Sequence, residues 1–247
     1  MVTKAEMVAI SRKERIPLGT VEKDYVLTAI LQRIYTSEFR DKIVFKGGTA
    51  LHKLYLFQRF SVDLDFTELK KIKLDLFQKV LEQRDIQSRI KDIDTLGKST
   101  RITLGYVSAL EFANRIFIDI SKREKPVMPL IHKAIHSPFF ESFDVLTFQL
   151  EELLAEKIRA LMQRKKPRDY LDLYYILESG KADLSKAIEI AEKKLSPFKE
   201  HFDKRKISED TEMVQSLWTQ DLREILPSIP DFNEVLKKIM VIFNHSG

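Results

Sequence analysis

The chain has 247 residues, of which 44% are hydrophobic and 32% charged, values ordinary for a globular protein with a substantial core. It contains no cysteine, which excludes disulfides and thiolate metal sites, and no apolar run reaches the roughly 18 residues that a membrane span needs. Lys and Arg outnumber Asp and Glu by 42 to 37, a balance compatible with a polyanionic partner that does not establish one. Charged residues interrupt the N-terminus where a signal peptide would be apolar, so we expect a cytoplasmic location.

Residues 1–40 carry a helical pattern. Thr20 is a candidate N-cap, with Glu22 and Asp24 in the first turn and apolar residues following at helical intervals. We expect a capped helix that packs on a sheet.

The next stretch predicts a strand, a glycine turn and a helix. Ile43–Phe45 is a short apolar, β-branched run that stops at Gly47 and Gly48, and helical spacing begins at Thr49. Backbone N–H groups are accessible where no Cβ intrudes, and the N-terminus of a helix favours anions. This arrangement therefore predicts a phosphate site.

Two aspartates follow on a predicted strand, Asp63-Leu64-Asp65-Phe66. Residues two apart on a strand share a face, so Asp63 and Asp65 project together while Leu64 and Phe66 face the core. Adjacent carboxylates repel unless a cation lies between them, and Mg²⁺ prefers oxygen ligands and substrate phosphates. The sequence thus indicates a Mg²⁺ site beside the glycine turn.

Further elements follow. A helix is expected around 74–83, a turn at 98–100, and an antiparallel pair of strands, around 102–106 and 115–120, joined near 108–114. Asp119 is an acid in the second, otherwise apolar strand, where aspartate is disfavoured; it either binds a metal or reaches solvent at the strand end. Residues 121–146 contain three prolines and are interpreted as a connecting region, with His132 and His136 as a surface pair.

The last hundred residues predict helices. After a candidate cap at Thr147, an apolar helical stripe includes Lys157, which either snorkels to water or meets an anion in a cleft. A basic loop at 165–168 breaks this helix, and a second one opens at Asp169 and stops near Gly180. Amphipathic helices are expected over 182–195, 212–226 and 232–243.

The glycine turn and the aspartate pair, in this order, resemble the nucleotidyltransferase superfamily. The fuller strings Phe45–Leu51 and Arg59–Phe66, with Glu22–Tyr25 upstream, are similar to the AbiEii family of toxin nucleotidyltransferases, to which the MenT toxins are related. Downstream, Glu152–Lys157 and Arg168–Leu173 match the family's lysine helix and its Arg-Asp-x-x-Asp-Leu motif. The resemblance covers about residues 20–177.

The resemblance implies nucleotidyl transfer from a nucleoside triphosphate, with one or two Mg²⁺ (or Mn²⁺) ions held by Asp63, Asp65 and Asp119. It also implies a catalytic role for Lys157 with Asp169 or Asp172, without deciding which aspartate acts. The residues expected to bind the nucleotide are Lys46, Gly47, Gly48, Thr49, Arg59, Ser61, Lys157 and Arg164. For Arg59, binding phosphate and pairing with an aspartate both stay open.

Members of the resembled family are toxins of toxin–antitoxin or abortive-infection systems, and some modify the 3′ acceptor end of tRNA. We therefore expect a toxin that adds nucleotides to RNA, with an antitoxin as partner. A small-molecule acceptor, as in antibiotic-modifying enzymes, uses the same metal site, and a non-catalytic protein that binds a nucleotide or a partner is a further alternative. The expected fold is α+β: a nucleotidyltransferase-type mixed sheet with flanking helices (1–146) and a C-terminal helical domain (147–247) that completes the nucleotide cleft.

Overall fold

The structure is a computed structural model that describes residues 2–55, 57, 59–82, 84–123 and 125–245. The chain divides into two compact units, one formed by Met1–Lys125 and Leu130–Thr147, the other by Pro126–Pro129 and Phe148–Gly247. The elements of the first unit are α1 (Lys4–Glu14), α2 (Leu18–Tyr35), β1 (Ile43–Lys46), α3 (Gly47–Tyr55), β2 (Asp63–Glu68), α4 (Leu74–Leu81), β3 (Arg89–Leu96), β4 (Ser99–Val107), β5 (Ala113–Ser121), β6 (Ile131–Ile135) and β7 (Phe143–Thr147). Those of the second are α5 (Leu150–Gln163), α6 (Pro167–Glu178), α7 (Leu184–Leu195), α8 (Arg205–Ser208), α9 (Glu212–Leu222) and α10 (Phe232–His245). Among these residues no helix is long and apolar enough to cross a lipid bilayer.

The first unit is built on a seven-stranded mixed sheet with the strand order β3-β4-β5-β2-β1-β7-β6. Strand β2 runs parallel to β5, and β1 parallel to β7, whereas all other neighbours are antiparallel. Helices α2 and α4 pack on each other and contact β7 and β3 respectively. The predicted α+β fold with a mixed sheet and flanking helices is confirmed.

Side-chain alternation gives this sheet one apolar and one polar face. In β2 and β5, Leu64, Phe66, Ile116 and Ile118 are completely buried. The intervening residues lie on the opposite face, called here the polar face, and include Asp63, Asp65, Arg115, Phe117 and Asp119. The predicted antiparallel pair of strands, around 102–106 and 115–120, is confirmed: these segments form β4 and β5.

Three strands were not predicted. Strand β3 is an edge strand rich in charged residues, so it lacks the apolar alternation that marks a half-buried strand, and pairing with β4 defines it. The interpretation of residues 121–146 as a connecting region is wrong, because β6 and β7 lie there. Each has only five residues, too few for a periodic pattern. His132 is in β6 and His136 follows it, and both are exposed, as expected of a surface pair.

Two predicted helix caps are also wrong. Helix α2 begins at Leu18, since Pro17 already has the restricted φ (−56°) that suits a helix start, and Thr20 is buried within the first turn. Thr147 ends β7, and α5 begins three residues later, with Gln149 in the cap position.

The second unit is helical, as predicted. Helix α5 packs on α6 and α7, and α6 packs on α9 and α10. The apolar stripe of α5 is buried, as are Leu171, Leu173 and Ile176 of α6. The loop between them contains Lys165 and Lys166, whereas Arg168 lies in the first turn of α6, which starts at Pro167 and thus two residues before the predicted Asp169. Gly180 follows the end of α6 with a φ of +60°, a value that glycine adopts without strain.

The join between β1 and β7 depends on side chains as well as on the ladder, which has one Cα pair, Phe45 with Thr147. The hydroxyl of Thr147 donates to the Phe45 carbonyl (2.8 Å). The hydroxyl of Tyr35 lies 3.0 Å from the Leu146 carbonyl and 3.3 Å from that of Ile43, so its proton can be donated to either strand. Burial raises the pKa of Tyr35, so the phenol stays a donor.

Removing this hydroxyl should weaken the fold. Tyr35→Phe removes the one buried proton that the carbonyls of Leu146 and Ile43 share, and we expect a loss of about 1–3 kcal/mol in the free energy of unfolding, measured by urea titration. Tyr174→Phe, at a hydroxyl that receives a 3.3 Å hydrogen bond from exposed Lys238, serves as the control and should change stability by less than about 0.5 kcal/mol. Equal stabilities of the two variants would contradict the role given to Tyr35.

Candidate active site

The two glycines lie where strand β1 meets helix α3, and each leaves room for a charged side chain. Gly47 has a φ of +76°, and a Cβ placed on it would lie 2.8 Å from the Cβ and Cγ of Asp65 and closer still to its carboxylate oxygen. A Cβ on Gly48 would collide with the guanidinium of Arg59, 2.8 Å from its Cζ. Any other residue at these positions would therefore displace the charged side chain of Asp65 or Arg59.

The residues around the turn are buried and tied to it. Arg59 is 4% exposed and donates from Nη1 to the Phe60 carbonyl (3.0 Å). The hydroxyl of Thr49, in the first turn of α3, donates to the carbonyl of Asp63. Lys46 and Ser61 are also buried. The helix start and the aspartate strand are thus linked directly, although the nucleotide-binding roles of these residues stay predictions.

The aspartates belong to a row of charges that crosses the polar face. Asp65 pairs in register with Lys46 of β1 on one side and with Asp119 of β5 on the other, and Asp119 pairs in turn with Arg101 of β4. Arg101 binds the Asp119 carboxylate through two hydrogen bonds, from Nε at 2.8 Å and from Nη2 at 2.7 Å. These bonds, with the negative charges of Asp63 and Asp65 nearby, raise the pKa of Arg101. Sequence reasoning did not identify Arg101, although the predicted hairpin placed it near Asp119.

The carboxylates of this row suit a hard divalent cation. Asp63 and Asp65 share one face of β2, and Asp119 lies directly beside Asp65. An all-oxygen donor set of this kind fits Mg²⁺ or Mn²⁺. Within the described part of the chain, no three Asp, Glu or His side chains are arranged as a metal site, and Asp119 is engaged by Arg101. The metal ligands therefore stay predictions.

In the second unit, Lys157 lies between two aspartates. Its Nζ is 3.0 Å from Asp169 Oδ1 and 2.8 Å from Asp172 Oδ2, and its side chain is only 11% exposed, which does not fit snorkelling to water. Arg164 Nε also binds Asp169, at 3.0 Å. Burial would raise the pKa of Asp169, but Lys157 and Arg164 together outweigh it and the pKa is lowered. Both aspartates thus hold the lysine.

The Glu22–Tyr25 string is explained by packing. Asp24 pairs with Lys53 of α3 at 2.7 Å, both side chains being at most 10% exposed, and Glu22 accepts a hydrogen bond from the Leu110 amide (2.8 Å). His52 is the neighbour of Lys53, with Nδ1 2.9 Å from the Phe57 carbonyl, and burial lowers its pKa. Asp24 therefore anchors α2 to α3, and Glu22 anchors it to the connection between β4 and β5.

The lowered pKa of Asp169 predicts a pH-dependent cost of Asp169→Asn. A carboxyl whose folded pKa lies below the unfolded value stabilises the protein above the unfolded pKa, and this contribution is lost as the pH falls through the folded pKa. At about pH 7 the free energy of unfolding of the variant should be lower by about 3 kcal/mol. This is the low end for breaking a buried ion pair, because Lys157 still pairs with Asp172. Urea titrations should show this deficit shrinking towards about pH 3; a deficit equal at both pH values would contradict the assignment.

Comparison with known proteins agrees with this architecture. The model of the family described as nucleotidyl transferase AbiEii toxin, type IV toxin–antitoxin system, matches residues 29–238. MenT4, a nucleotidyltransferase toxin from Mycobacterium tuberculosis, has the same fold with a TM-score of 0.75 at 17% identity, over 98% of this chain and 89% of that one. JHP933 from Helicobacter pylori superposes with a TM-score of 0.64 at 20% identity, over 94% of this chain and 93% of that one. No curated protein sequence matches the chain.

At these identities the two solved structures show the fold, whereas the family match spans most of the chain and includes both the aspartate pair and the Lys157 cluster. It confirms the resemblance stated from the motifs. The chain therefore belongs to the AbiEii family of toxin nucleotidyltransferases, of type IV toxin–antitoxin systems.

Proposed function

We propose that this toxin transfers a nucleotide from a nucleoside triphosphate to the 3′ end of an RNA, with tRNA as the acceptor, in a reaction that requires Mg²⁺ or Mn²⁺ and takes place in the cytoplasm. The observation that carries the proposal is the contact between the Asp63–Asp65 strand and the glycine start of α3, where Asp65 lies against Gly47. It joins a carboxylate pair to a helix N-terminus, the two parts that a metal-bound triphosphate needs. The family also implies an antitoxin as partner.

The metal would be held by Asp63 and Asp65, with Asp119 as the third candidate ligand. When bound, a divalent cation neutralises the charge on the attacking and leaving oxygens of phosphoryl transfer. Asp65 and Asp119 are adjacent across β2 and β5, so their mutual repulsion favours a cation between them.

The triphosphate would bind at the N-terminus of α3. Gly47 and Gly48 place no Cβ over the first amides of the helix, and Arg59, whose guanidinium lies over Gly48, supplies a cation there. Ser61 and Lys46 are assigned supporting contacts. Thr49 already donates to the Asp63 carbonyl, so in addition to its predicted nucleotide contact it positions the aspartate strand.

The residues orient one displacement. The acceptor hydroxyl oxygen attacks the α-phosphorus, a new P–O bond forms, the bond from that phosphorus to the oxygen bridging to the β-phosphate breaks, and pyrophosphate leaves as the hydroxyl proton is released to water. Most of the rate enhancement of such a reaction comes from positioning and charge neutralisation.

Lys157 is assigned a charge-neutralising role towards the triphosphate. Asp169 and Asp172 act through it as positioning residues, because both carboxylates bind its ammonium group. Arg164, which shares Asp169 but is 57% exposed, is the weaker candidate for a direct contact.

The assay that tests this function incubates the purified protein with total tRNA, Mg²⁺ and each α-labelled nucleoside triphosphate in turn. We expect label in RNA with the wild type and a loss of about 10²-fold or more with Asp63→Asn, which keeps the shape of the side chain but removes its charge. Asp144→Asn, at an exposed aspartate of β7, is the matched control and should retain activity. Label entering no RNA with any nucleotide would contradict the RNA acceptor and direct the search to small molecules.

A second prediction concerns the competition between Arg101 and a metal ion for Asp119. If Asp119 is a ligand, Arg101→Gln frees its carboxylate and Mn²⁺ should bind up to about fivefold tighter, the worth of an exposed ion pair, whereas Asp119→Asn should weaken binding. Electron paramagnetic resonance titration with Mn²⁺ measures both without any turnover. Arg115→Gln removes an equal charge from the polar face without touching Asp119 and serves as the control. Equal Mn²⁺ affinities for the two arginine variants would remove Asp119 from the ligand set.

A further inference from the structure

Three cations meet on the polar face at one end of strands β3, β4 and β5. Arg89 and Arg115 flank Gly105 in register, and Lys91 lies at the bulge that follows Ile90. A Cβ on Gly105 would be 2.6 Å from Lys91 Cε and 3.0 Å from its Cγ, so the lysine stem lies across the bare glycine, between the two arginines. Arg89, Lys91 and Arg115 are called the basic row.

The basic row is exposed and its charge is not neutralised by the protein. All three side chains belong to exposed residues, and in the part of the chain that the structure describes none of them is in an ion pair with an acidic group. The strands hold the three charges close together. Such a surface favours a polyanion over a neutral partner.

The basic row continues into a stack of flat side chains. The guanidinium of Arg115 lies 5.5 Å from the ring centroid of Phe117, and that of Arg101 lies 5.2 Å from the same ring. Both guanidinium groups therefore lie within cation–π distance of one ring. Planar guanidinium and aromatic groups are the surfaces on which unpaired bases of single-stranded RNA stack.

This stack leads to the aspartate pair. Phe117 is the register partner of Asp63, and Arg115 precedes Phe117 by two residues in β5, about 7 Å at the usual strand rise. The acidic residues of the outer strands lie nearer the other end: Asp92 pairs with Thr103, and Asp94 with Arg101. The three cations of the basic row therefore lie at the end away from Asp65, whereas Arg101, in the row of Asp65, is paired with Asp119. This difference gives a bound polyanion a direction.

We propose that the basic row and the Arg115–Phe117 stack bind the single-stranded segment that precedes the reacting 3′ hydroxyl of the RNA acceptor. Phosphates of that segment contact Arg89, Lys91 and Arg115, one base stacks on the Arg115 guanidinium, and the 3′ end lies at Asp63. This assignment rests on the proposed RNA-directed transfer and names the surface that selects RNA.

The test compares two triple variants that each remove two arginines and one lysine. Arg89→Gln/Lys91→Gln/Arg115→Gln empties the basic row, and Arg12→Gln/Lys13→Gln/Arg15→Gln removes the same charge from exposed residues at the end of α1. Binding of a fluorescein-labelled ten-nucleotide single-stranded RNA is followed by anisotropy at several salt concentrations. The basic-row variant should bind roughly 10-fold or more weakly, and its slope of log affinity against log salt should fall by about 2, for three phosphates. Its KM for tRNA in label transfer should rise with the KM for the nucleoside triphosphate unchanged.

Arg115→Lys separates stacking from charge and covers the case in which the triple variant does not fold. It keeps the positive charge but loses the plane, so RNA affinity should fall about fivefold or more with the salt slope unchanged. Equal RNA affinity, slope and KM for the two triple variants would overturn the assignment. The assignment would also be overturned if the basic-row variant kept its KM for RNA but no longer bound a protein partner, because the surface would then bind that partner.

Failure of this inference and failure of the proposed function give different results. If the wild type transfers label to RNA but the basic-row and control variants behave alike, transfer to RNA stands and the surface is wrong. If the wild type neither binds nor labels RNA, the acceptor itself is wrong and the surface assignment falls with it.

Discussion

The antiparallel pairing of β1 with β2 is the constraint on which the candidate active site depends. It returns the aspartate strand beside the glycine turn, so that Lys46 pairs with Asp65 and the Asp65 carboxylate lies on the bare Cα of Gly47. Gly48 makes the same allowance for the buried guanidinium of Arg59. The two glycines thus serve two needs at once: access to the amides of a helix N-terminus, and room for the opposite charges packed against it.

Charge balance across the sheet follows from the same register. Asp65 and Asp119 are neighbours on parallel strands and repel each other, while Lys46 and Arg101 end the row with positive charge. In the protein alone, Arg101 therefore neutralises the charge of the Asp119 carboxylate, as a metal ion would do in a complex. Strand pairing thus brings the aspartates of β2 beside Asp119 of the later strand β5, so that their charges interact.

The second unit shows that a buried lysine between two carboxylates is not by itself a functional site. Lys194 lies 2.9 Å from Glu152 and 3.1 Å from Glu156, and Glu152 also accepts the amides of Val127 and Met128. That cluster fastens a short segment of the unit to its helices. Lys157 has the same kind of pairing and is slightly more exposed (11% against 2% of the side chain), and its place in the family's motifs is what marks it for chemistry.

The sequence alone was sufficient for the elements with strong local signals: the glycine turn, the aspartate strand, the β4–β5 hairpin, the longer helices of the second unit and the family, whereas the four-residue helix α8 was not predicted. Short or charged strands such as β3, β6 and β7 became visible only in the structure, because their pairing partners and not their own composition make them strands. The partners of Asp119 and the gathering of Arg89, Lys91 and Arg115 were likewise decided by strand register. Local patterns report what one segment prefers, whereas the neighbours of a side chain depend on residues far along the chain.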